Sequence, residues 1–177
     1  MTRSLDIGCG RNPKNPFGAN DLYGIDVFDD KSRNILSCDL FSRPIPFDDS
    51  YFNYITAFDF IEHVPRVVYC PSMRFSFVEL MNEIYRCLKP GGKFLSFTPG
   101  YPSESVFADP THVNFITLST FPTYFGAEAL ARMYGFYGSF LVERNEWHDW
   151  VSPPKMVSPG VENPGKTHIC TILTKSF

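Results

Sequence analysis

Leu5-Asp6-Ile7-Gly8-Cys9-Gly10 is the stretch from which the fold of this chain is best predicted. An apolar run suited to a β-strand ends there in two glycines separated by one residue, and a carboxylate precedes them. Because glycine has no Cβ, a strand that ends at Gly-x-Gly can turn sharply and hold a ligand against bare main chain. One such pair of glycines is weak evidence, so the residues downstream decide which ligand it binds.

The composition predicts one soluble, cytoplasmic domain. The chain has 177 residues, 44% of them hydrophobic, which is enough to bury a core within a single domain. A net charge of −3, without a run of lysines or arginines, argues against a nucleic acid partner. The first residues lack the layout of a signal peptide and no apolar run approaches ~18 residues, so we expect no membrane association.

The cysteines and histidines are too dispersed to predict a disulfide framework or a metal site. Five cysteines are scattered along the chain and none is in Cys-x-x-Cys spacing, a pattern typical of reduced thiols in a cytoplasmic protein. The four histidines are equally far apart, at His63, His112, His148 and His168. From the sequence alone we therefore expect no metal ion.

Four short apolar strands in the first half each end at a glycine or a carboxylate. These strands are predicted over residues 3–7, 23–27, 35–38 and 51–57, and they run into Gly8 and Gly10, Asp26, Asp39, and Phe58-Asp59. In an open parallel sheet, ligands bind outside the carboxyl ends of the strands, where the strand order reverses. Four consecutive strand ends of this kind are a much stronger signal than any one of them.

A helix and a fifth strand complete the predicted core. A helix over residues 72–88 is indicated by apolar residues that recur every three to four positions, at Phe75, Val78, Met81, Ile84 and Leu88. Pro90-Gly91-Gly92 is expected to end this helix before a strand at residues 93–98. The alternation of strand and helix predicts an α/β fold with a mostly parallel sheet.

The second half is less regular. Residues 100–114 are rich in proline and read as a loop, and residues 127–134 predict a short helix. Residues 139–146 and 167–175 predict two strands, separated by a Pro- and Gly-rich excursion over residues 147–166.

Over about residues 5–99 the sequence resembles the small class I S-adenosylmethionine-dependent methyltransferases, those similar to methyltransferase type 11. Leu-Asp-Ile-Gly-Cys-Gly is similar to their glycine motif, and Tyr-Gly-Ile-Asp-Val at residues 23–27 to the strand whose acid holds the ribose. Cys38-Asp39-Leu40 is similar to the segment beside adenine. Residues 47–52, 61–64 (Ile-Glu-His-Val) and 88–92 (Leu-Lys-Pro-Gly-Gly) are similar to the rest of the core. Each motif is common alone, whereas the set in this order is specific.

The resemblance implies a fold, a cofactor and a division of the chain. The fold is a Rossmann-like, mostly parallel sheet with helices on both faces and an antiparallel C-terminal hairpin. The cofactor is S-adenosyl-L-methionine. A single methyltransferase domain, 1–177, would comprise a cofactor-binding core (1–99), an acceptor or lid region (100–137), and C-terminal strands with a loop (138–177).

The chain departs from the common pattern of this family directly after the glycine motif. Only residues 11–22 separate the first two strands, and Pro13 and Pro16 prevent a regular helix between them. The first helix is therefore predicted to be reduced or absent. Whatever covers the cofactor pocket must come from residues 100–137 or 147–166.

The resemblance also implies which residues bind the cofactor: Asp6, Gly8, Cys9, Gly10, Asp26, Val27, Cys38, Asp39, Leu40, Phe58 and Asp59. Asp26 would accept hydrogen bonds from the ribose hydroxyls, since charge-assisted bonds are the stronger kind. Asp39 would accept from the adenine amino group, and Leu40 would pack on the ring. Asp6 would orient the glycine loop or, through water, the ammonium group.

Candidate catalytic residues lie in two polar segments. The segment 109–114 (Asp-Pro-Thr-His-Val-Asn) follows the fifth strand, where an acceptor would bind, and Glu62-His63 follows the fourth. Methyl transfer from a sulfonium needs an in-line nucleophile and exclusion of water more than an elaborate apparatus. We expect a small-molecule acceptor, with His112, His63 or Asp109 as the candidate base, because histidine titrates near neutral pH.

Two other functions stay open at this point. A nicotinamide-dependent Rossmann oxidoreductase would need a third glycine in G-x-G-x-x-G, opening a helix toward a pyrophosphate, and Pro13 occupies that position. A protein that binds S-adenosylmethionine or S-adenosylhomocysteine without turnover would have the same residues at its strand ends. The acceptor atom and the oligomeric state do not follow from the sequence.

Overall fold

The fold is built on one sheet, seen in a computed structural model that describes residues 1–69, 71–149 and 166–176. Within these residues seven strands form the sheet: β1 (Arg3–Ile7), β2 (Asp21–Asp26), β3 (Ile35–Ser37), β4 (Phe52–Phe58), β5 (Leu88–Pro99), β6 (Phe140–His148) and β7 (His168–Lys175). The α-helices are α1 (Ser76–Cys87), α2 (Ser105–Ala108) and α3 (Thr120–Phe125), and short 3-10 helices lie at Lys31–Arg33, Ile61–His63 and Leu130–Tyr134. No helix of the described part is long and apolar enough to cross a membrane.

The strand order places the carboxyl ends of β1 and β4 side by side. The order is β3-β2-β1-β4-β5-β7-β6, and the pairs from β3 to β5 are all parallel. The chain runs outward from β1 through β2 to β3 and then returns to the other side of β1, so the order reverses between β1 and β4. That reversal is where a ligand binds in open α/β sheets. The predicted mostly parallel sheet is confirmed.

The C-terminal hairpin is confirmed as well. β7 pairs antiparallel with β5, and β6 pairs antiparallel with β7. The excursion predicted between these two strands falls mostly on residues 150–165, which lie outside the described residues.

The main hydrophobic core lies on one face of the sheet. Helix α1 contributes six buried residues to it, and side chains from α3 and from the 3-10 helix Leu130–Tyr134 join the same cluster. β-Strand side chains alternate between the two faces, so Leu5 and Ile7 of β1 meet this core while Ser4 and Asp6 point the other way.

The second face is packed differently from the prediction of helices on both faces. Its buried cluster consists of strand residues, namely Phe58, Leu95, Phe97, Cys170 and Ile172, and Phe17 packs against it. Phe17 also stacks on Tyr54 at 4.4 Å between ring centroids. In the part of the chain that the structure describes, the loop between β1 and β2 therefore takes the place of a helix on this face. Residues 11–20 contain no helix, as predicted from their prolines.

Two boundaries differ from the sequence-based expectation. Helix α1 begins at Ser76 rather than at residue 72 and ends at Cys87, before the Pro90-Gly91-Gly92 sequence that was expected to end it. β5 begins at once: Leu88 pairs with Phe52 and Lys93 with Tyr54, so residues 89–92 bulge opposite a single residue of β4. Gly91 supplies the positive φ, +72°, within this bulge.

Burial predicts a large difference between two methionines. Met81 of α1 is fully buried, whereas Met133 is 72% exposed. Met81→Ala should lower the free energy of unfolding by about 2–5 kcal/mol, because it leaves a cavity in the core. Met133→Ala should change it by no more than about 0.5 kcal/mol. Urea denaturation of the two variants measures both, and similar losses would contradict the assigned packing of α1.

Candidate cofactor and acceptor site

The glycine loop is shaped by two positive φ angles. Gly8 has φ +64° and Gly10 has φ +57°, a region that side-chain-bearing residues rarely adopt. A Cβ at Gly8 would lie 2.2 Å from Cδ2 of Phe60, so the loop after β1 packs closely against the segment after β4. A Cβ at Gly10 would meet no atom within 4 Å, so the space in front of this glycine is open to a ligand.

Asp6 holds the glycine loop in place through hydrogen bonds. This carboxylate is fully buried, and its two oxygens accept hydrogen bonds from the Lys14 amide and the Thr56 hydroxyl, each at 2.7 Å. Burial raises its pKa from the ordinary value of 3.8 to about 6, although both hydrogen bonds lower it. Of the two roles considered for Asp6, the structure supports orientation of the loop.

Asp26 links the end of β2 to the same loop. One carboxylate oxygen accepts from the Gly10 amide at 2.7 Å and the other from the Val27 amide at 2.8 Å. Each carboxylate oxygen keeps a further lone pair for another donor. Val27 beside it is 81% exposed, which leaves an apolar side chain at the sheet edge available to pack on a ring.

After the end of β3, one carboxylate is exposed and the side chains on either side of it are buried. Asp39 is exposed, and its carboxylate accepts from the Phe41 amide at 3.0 Å and from the Ser42 hydroxyl at 2.5 Å. The side chains of Cys38 and Leu40 belong to the main core, at 8% and 7% exposure. Most of the Leu40 side chain is buried, which leaves little of its surface for contact with the adenine ring, and that contact stays a prediction.

The two residues at the end of β4, Phe58 and Asp59, both contact other side chains of the fold. Phe58 lies in the buried cluster of the second face, with the Lys14 ammonium 5.0 Å from its ring centroid. Asp59 has φ +49°, and its carboxylate meets Nε2 of His168 at 2.9 Å. Phe58 thus packs between strands, and Asp59 joins β4 to β7.

Cys9 is a packing residue within the glycine loop. Its side chain is 4% exposed, and its thiol donates to the Gly10 carbonyl at 3.2 Å. Burial, with the nearby Asp6 carboxylate, raises the pKa of the thiol to about 12. Such a thiol stays protonated and is not a nucleophile at neutral pH.

Glu62, which the sequence placed beside the candidate base His63 without a role of its own, is a buried residue of the site. It is 1% exposed, and its Oε2 accepts from the Thr98 hydroxyl at 2.6 Å. Its backbone carbonyl accepts from the amides of Val113 and Asn114, each at 2.9 Å. These bonds tie the loop after β5 to the 3-10 helix after β4, and they bring His112 beside Glu62. Burial raises the pKa of Glu62 to about 7.

The three candidate catalytic residues form one connected group beside Glu62. The rings of His63 and His112 meet edge to face, with centroids 4.8 Å apart. Thr111 joins the others, because its hydroxyl donates to Asp109 at 2.6 Å and lies 3.0 Å from Nδ1 of His63. Hydrogen bonds from Thr111 lower the pKa of Asp109, so this exposed carboxylate is a poor base and instead holds Thr111.

An apolar cavity of about 540 Å³ lies between α1 and α3. Its walls come from α1, α3 and the segments after residues 63 and 112, and they include Phe75, Phe77, Phe115, Tyr124 and Tyr134. Arg66 lines the cavity and donates from Nε to the Asn114 side chain at 2.7 Å. A volume in the range of about 300–1,000 Å³ with aromatic walls suits a small organic molecule.

The sheet order is that of an open α/β protein with carboxylates at the ends of its parallel strands and no helix directly after the glycine loop. The particular family follows from comparison with known proteins. A family model described as a methyltransferase domain matches residues 2–154, and the chain belongs to this family. Its cofactor is S-adenosyl-L-methionine, as the sequence predicted. A comparison with curated proteins finds no match.

Solved structures agree on the fold. An S-adenosylmethionine-dependent methyltransferase from Archaeoglobus fulgidus is 19% identical with a TM-score of 0.63, over 99% of this chain and 86% of that one. A putative methyltransferase from Bacillus halodurans is 16% identical with a TM-score of 0.61, over 99% and 93%. A Haloferax volcanii complex of a putative methyltransferase with the Trm112 methyltransferase activator is 15% identical with a TM-score of 0.61, over 99% and 83%.

The two glycines of the loop should differ in their tolerance of a methyl group. Gly8→Ala introduces both an unfavourable φ and a clash with Phe60, whereas Gly10→Ala introduces only the unfavourable φ. Gly10→Ala should cost about 1–2 kcal/mol of unfolding free energy. Gly8→Ala should cost clearly more, measured by denaturation of both variants under the same conditions. Equal losses would show that Phe60 does not press on Gly8.

The buried Asp6 predicts a distinctive dependence of stability on pH. Its pKa is raised in the folded protein, so the folded state binds the proton more tightly, and the free energy of unfolding should fall as pH rises from about 4 through about 6. The Asp6 contribution to this fall is about 3 kcal/mol at most. In Asp6→Asn, which mimics the protonated form, that part of the slope should be absent. Denaturation at several pH values tests this, and unchanged slopes would contradict the shift.

Proposed function

We propose that this protein transfers a methyl group from S-adenosylmethionine to a small-molecule acceptor at the edge formed by the carboxyl ends of β1 to β5. The observation that carries the proposal is the position of Asp26, whose two oxygens hold the amides of Gly10 and Val27. A carboxylate fixed in this way has its remaining lone pairs directed by the backbone rather than by a mobile rotamer. It is a preorganised acceptor for the two hydroxyls of a ribose.

The other strand ends supply the rest of a cofactor cradle. Open space in front of Gly10 lets the methionine part lie against the main chain, and Asp6 keeps the loop in place. The exposed Val27 packs on one side of the adenine, and Asp39 accepts from its amino group. Gly8, Cys9, Cys38, Leu40, Phe58 and Asp59 contribute through backbone or by fixing the neighbouring loops.

The acceptor lies in the aromatic cavity, with its reacting atom at the group formed by Glu62, His63 and His112. Arg66 and Phe115 line the cavity and follow His63 and His112 by three residues each, so both segments connect the two places. The bound cofactor supplies an electrophilic methyl group on a sulfonium. The protein positions the acceptor, excludes water, and offers a ring nitrogen of His112, or less directly His63, to the acceptor's proton. Asp109 acts as a positioning residue through Thr111.

The cysteines are compatible with a reducing, cytoplasmic setting. Cys9, Cys38, Cys87 and Cys170 are all free thiols and buried. We propose the cytoplasm on this basis together with the dispersed spacing of the cysteines.

The ribose assignment is tested by calorimetry with S-adenosylhomocysteine and its 2′,3′-dideoxy analogue. The wild type should bind S-adenosylhomocysteine at sub-millimolar concentration, and Asp26→Ala should weaken this by about 10–100-fold, because charged hydrogen bonds are lost. The dideoxy analogue should bind the wild type and Asp26→Ala about equally. Asp48→Ala, which removes an exposed carboxylate from the turn before β4, is the matched control and should leave both affinities unchanged.

Two results would count against the proposal. Equal losses for both ligands in Asp26→Ala would mean that Asp26 only shapes the loop. Absence of binding by S-adenosylmethionine and S-adenosylhomocysteine in the wild type would remove the function altogether. Turnover is measured separately, with a tritiated methyl group and a panel of apolar acceptors. Tight cofactor binding with no transfer to any acceptor would favour the non-catalytic alternative.

A further inference from the structure

One oxygen of Glu62 is a buried polar atom that has no partner among the described residues. The side chain is 2% exposed, and Oε2 is bonded to Thr98 while Oε1 accepts no hydrogen bond. Burying a carboxylate oxygen without a hydrogen-bond donor destabilises the folded state, and no hydrogen bond to this oxygen offsets that effect. Nε2 of His112 lies 4.0 Å from Oε1, which is beyond hydrogen-bond distance.

Each of the two histidines beside Glu62 has its Nδ1 in a hydrogen bond with another group. Nδ1 of His112 lies 3.1 Å from the Val106 carbonyl, which can only accept, so the proton is on Nδ1. The Thr111 hydroxyl donates to Asp109, so it accepts from Nδ1 of His63. Each neutral ring therefore has its lone pair on Nε2. In metalloproteins, histidine ligands are oriented in this way by a carbonyl or carboxylate on the other nitrogen.

We propose that Glu62, His63 and His112 bind one divalent transition-metal ion. An oxygen of Glu62 and one ring nitrogen of each histidine lie within 4.8 Å of one another. A metal ion at about 2.0–2.2 Å from each ligand needs ligand atoms about 3–4 Å apart, so small rotamer changes close the site. The ion would give the orphaned Oε1 the partner that it lacks.

The charges of the site favour a cation over other occupants. Glu62 is a buried carboxylate, and the acidic residues Asp59 and Asp109 are close enough to interact with it electrostatically. A bound cation would offset this local negative charge and favour the ionised carboxylate. An anion would meet the Glu62 carboxylate, with neither a lysine nor an arginine among the three ligands. Two imidazoles with one carboxylate suit Mn²⁺, Fe²⁺, Co²⁺ or Zn²⁺ better than Mg²⁺ or Ca²⁺, which prefer oxygen ligands alone.

Three protein ligands leave coordination positions for water or for an oxygen of the acceptor. This last step rests on the proposed function. With the ion bound, the lone pairs of His63 and His112 are occupied. Coordination to the metal would lower the pKa of an acceptor hydroxyl, which would release its proton to water, and its oxygen would take the methyl group from the sulfonium. The metal site itself depends only on the three side chains.

Metal binding is tested on tag-free full-length protein that has been treated with a chelator and dialysed. Co²⁺ is the probe, followed by calorimetry and by its visible absorption. We expect one ion per chain, with a spectrum of nitrogen and oxygen ligands and no thiolate band. Glu62→Gln and His112→Gln should each weaken Co²⁺ binding by about 100-fold or more, since loss of a ligand exceeds the 10–100-fold cost of losing a partner of a ligand.

The controls separate the site from general histidine binding and from the proposed function. His148 lies 3.0 Å from Glu146, so His148→Gln removes another histidine beside a carboxylate and should leave Co²⁺ affinity unchanged. Circular dichroism and S-adenosylhomocysteine binding show that each variant is folded. A thiolate band, or equal Co²⁺ binding by the wild type and the Glu62→Gln/His112→Gln double variant, overturns the metal site. Failure to bind S-adenosylhomocysteine with Co²⁺ bound overturns the proposed function alone.

Discussion

The hydrogen bond from the Lys14 amide to Asp6 is the interaction on which the cofactor edge depends. In this chain no helix follows β1, so the backbone after the glycines cannot satisfy itself by helical hydrogen bonds. Asp6 instead reaches from the strand to Lys14, at 2.7 Å, and anchors the loop on the second face of the sheet. Phe17 then packs on that face where a helix would lie. A buried carboxylate is destabilising by itself, and here two hydrogen bonds offset the cost.

The same loop is held from its other side by Asp26. Because that carboxylate accepts from Gly10, the end of β2 determines where the glycines lie, and the glycines determine how closely a ligand can approach. Neither carboxylate could be replaced by an apolar residue without freeing the loop. The site is therefore preorganised by hydrogen bonds from side chains at the strand ends, although no helix packs behind the glycine loop.

The sequence was sufficient for the features that are local. Strand ends with glycine or carboxylate, the 3.6-residue period of α1 and the prolines at residues 13 and 16 each act within a few residues, so the sheet and the missing helix were predictable. The directions of side chains were harder to predict. A shift of one residue decides whether a side chain such as that of Leu40 or Phe58 faces the ligand or a hydrophobic core. The grouping of Glu62, His63 and His112 was not predictable, since the two histidines are far apart in the sequence and are brought together by tertiary hydrogen bonds, among them those from the residue-113 and residue-114 amides to the carbonyl of Glu62.

The two most buried carboxylates near the site show how structural and functional groups can be told apart. Burial raises the pKa of both, to about 6 for Asp6 and about 7 for Glu62. Asp6 has a donor on each oxygen, so its environment is complete within the described residues. Glu62 has a donor on one oxygen only, and two imidazoles lie beside the other. When both oxygens of a buried carboxylate have hydrogen-bond donors within the protein, a structural role explains the residue. When one oxygen has no donor, the carboxylate indicates a bound ligand that the chain does not supply.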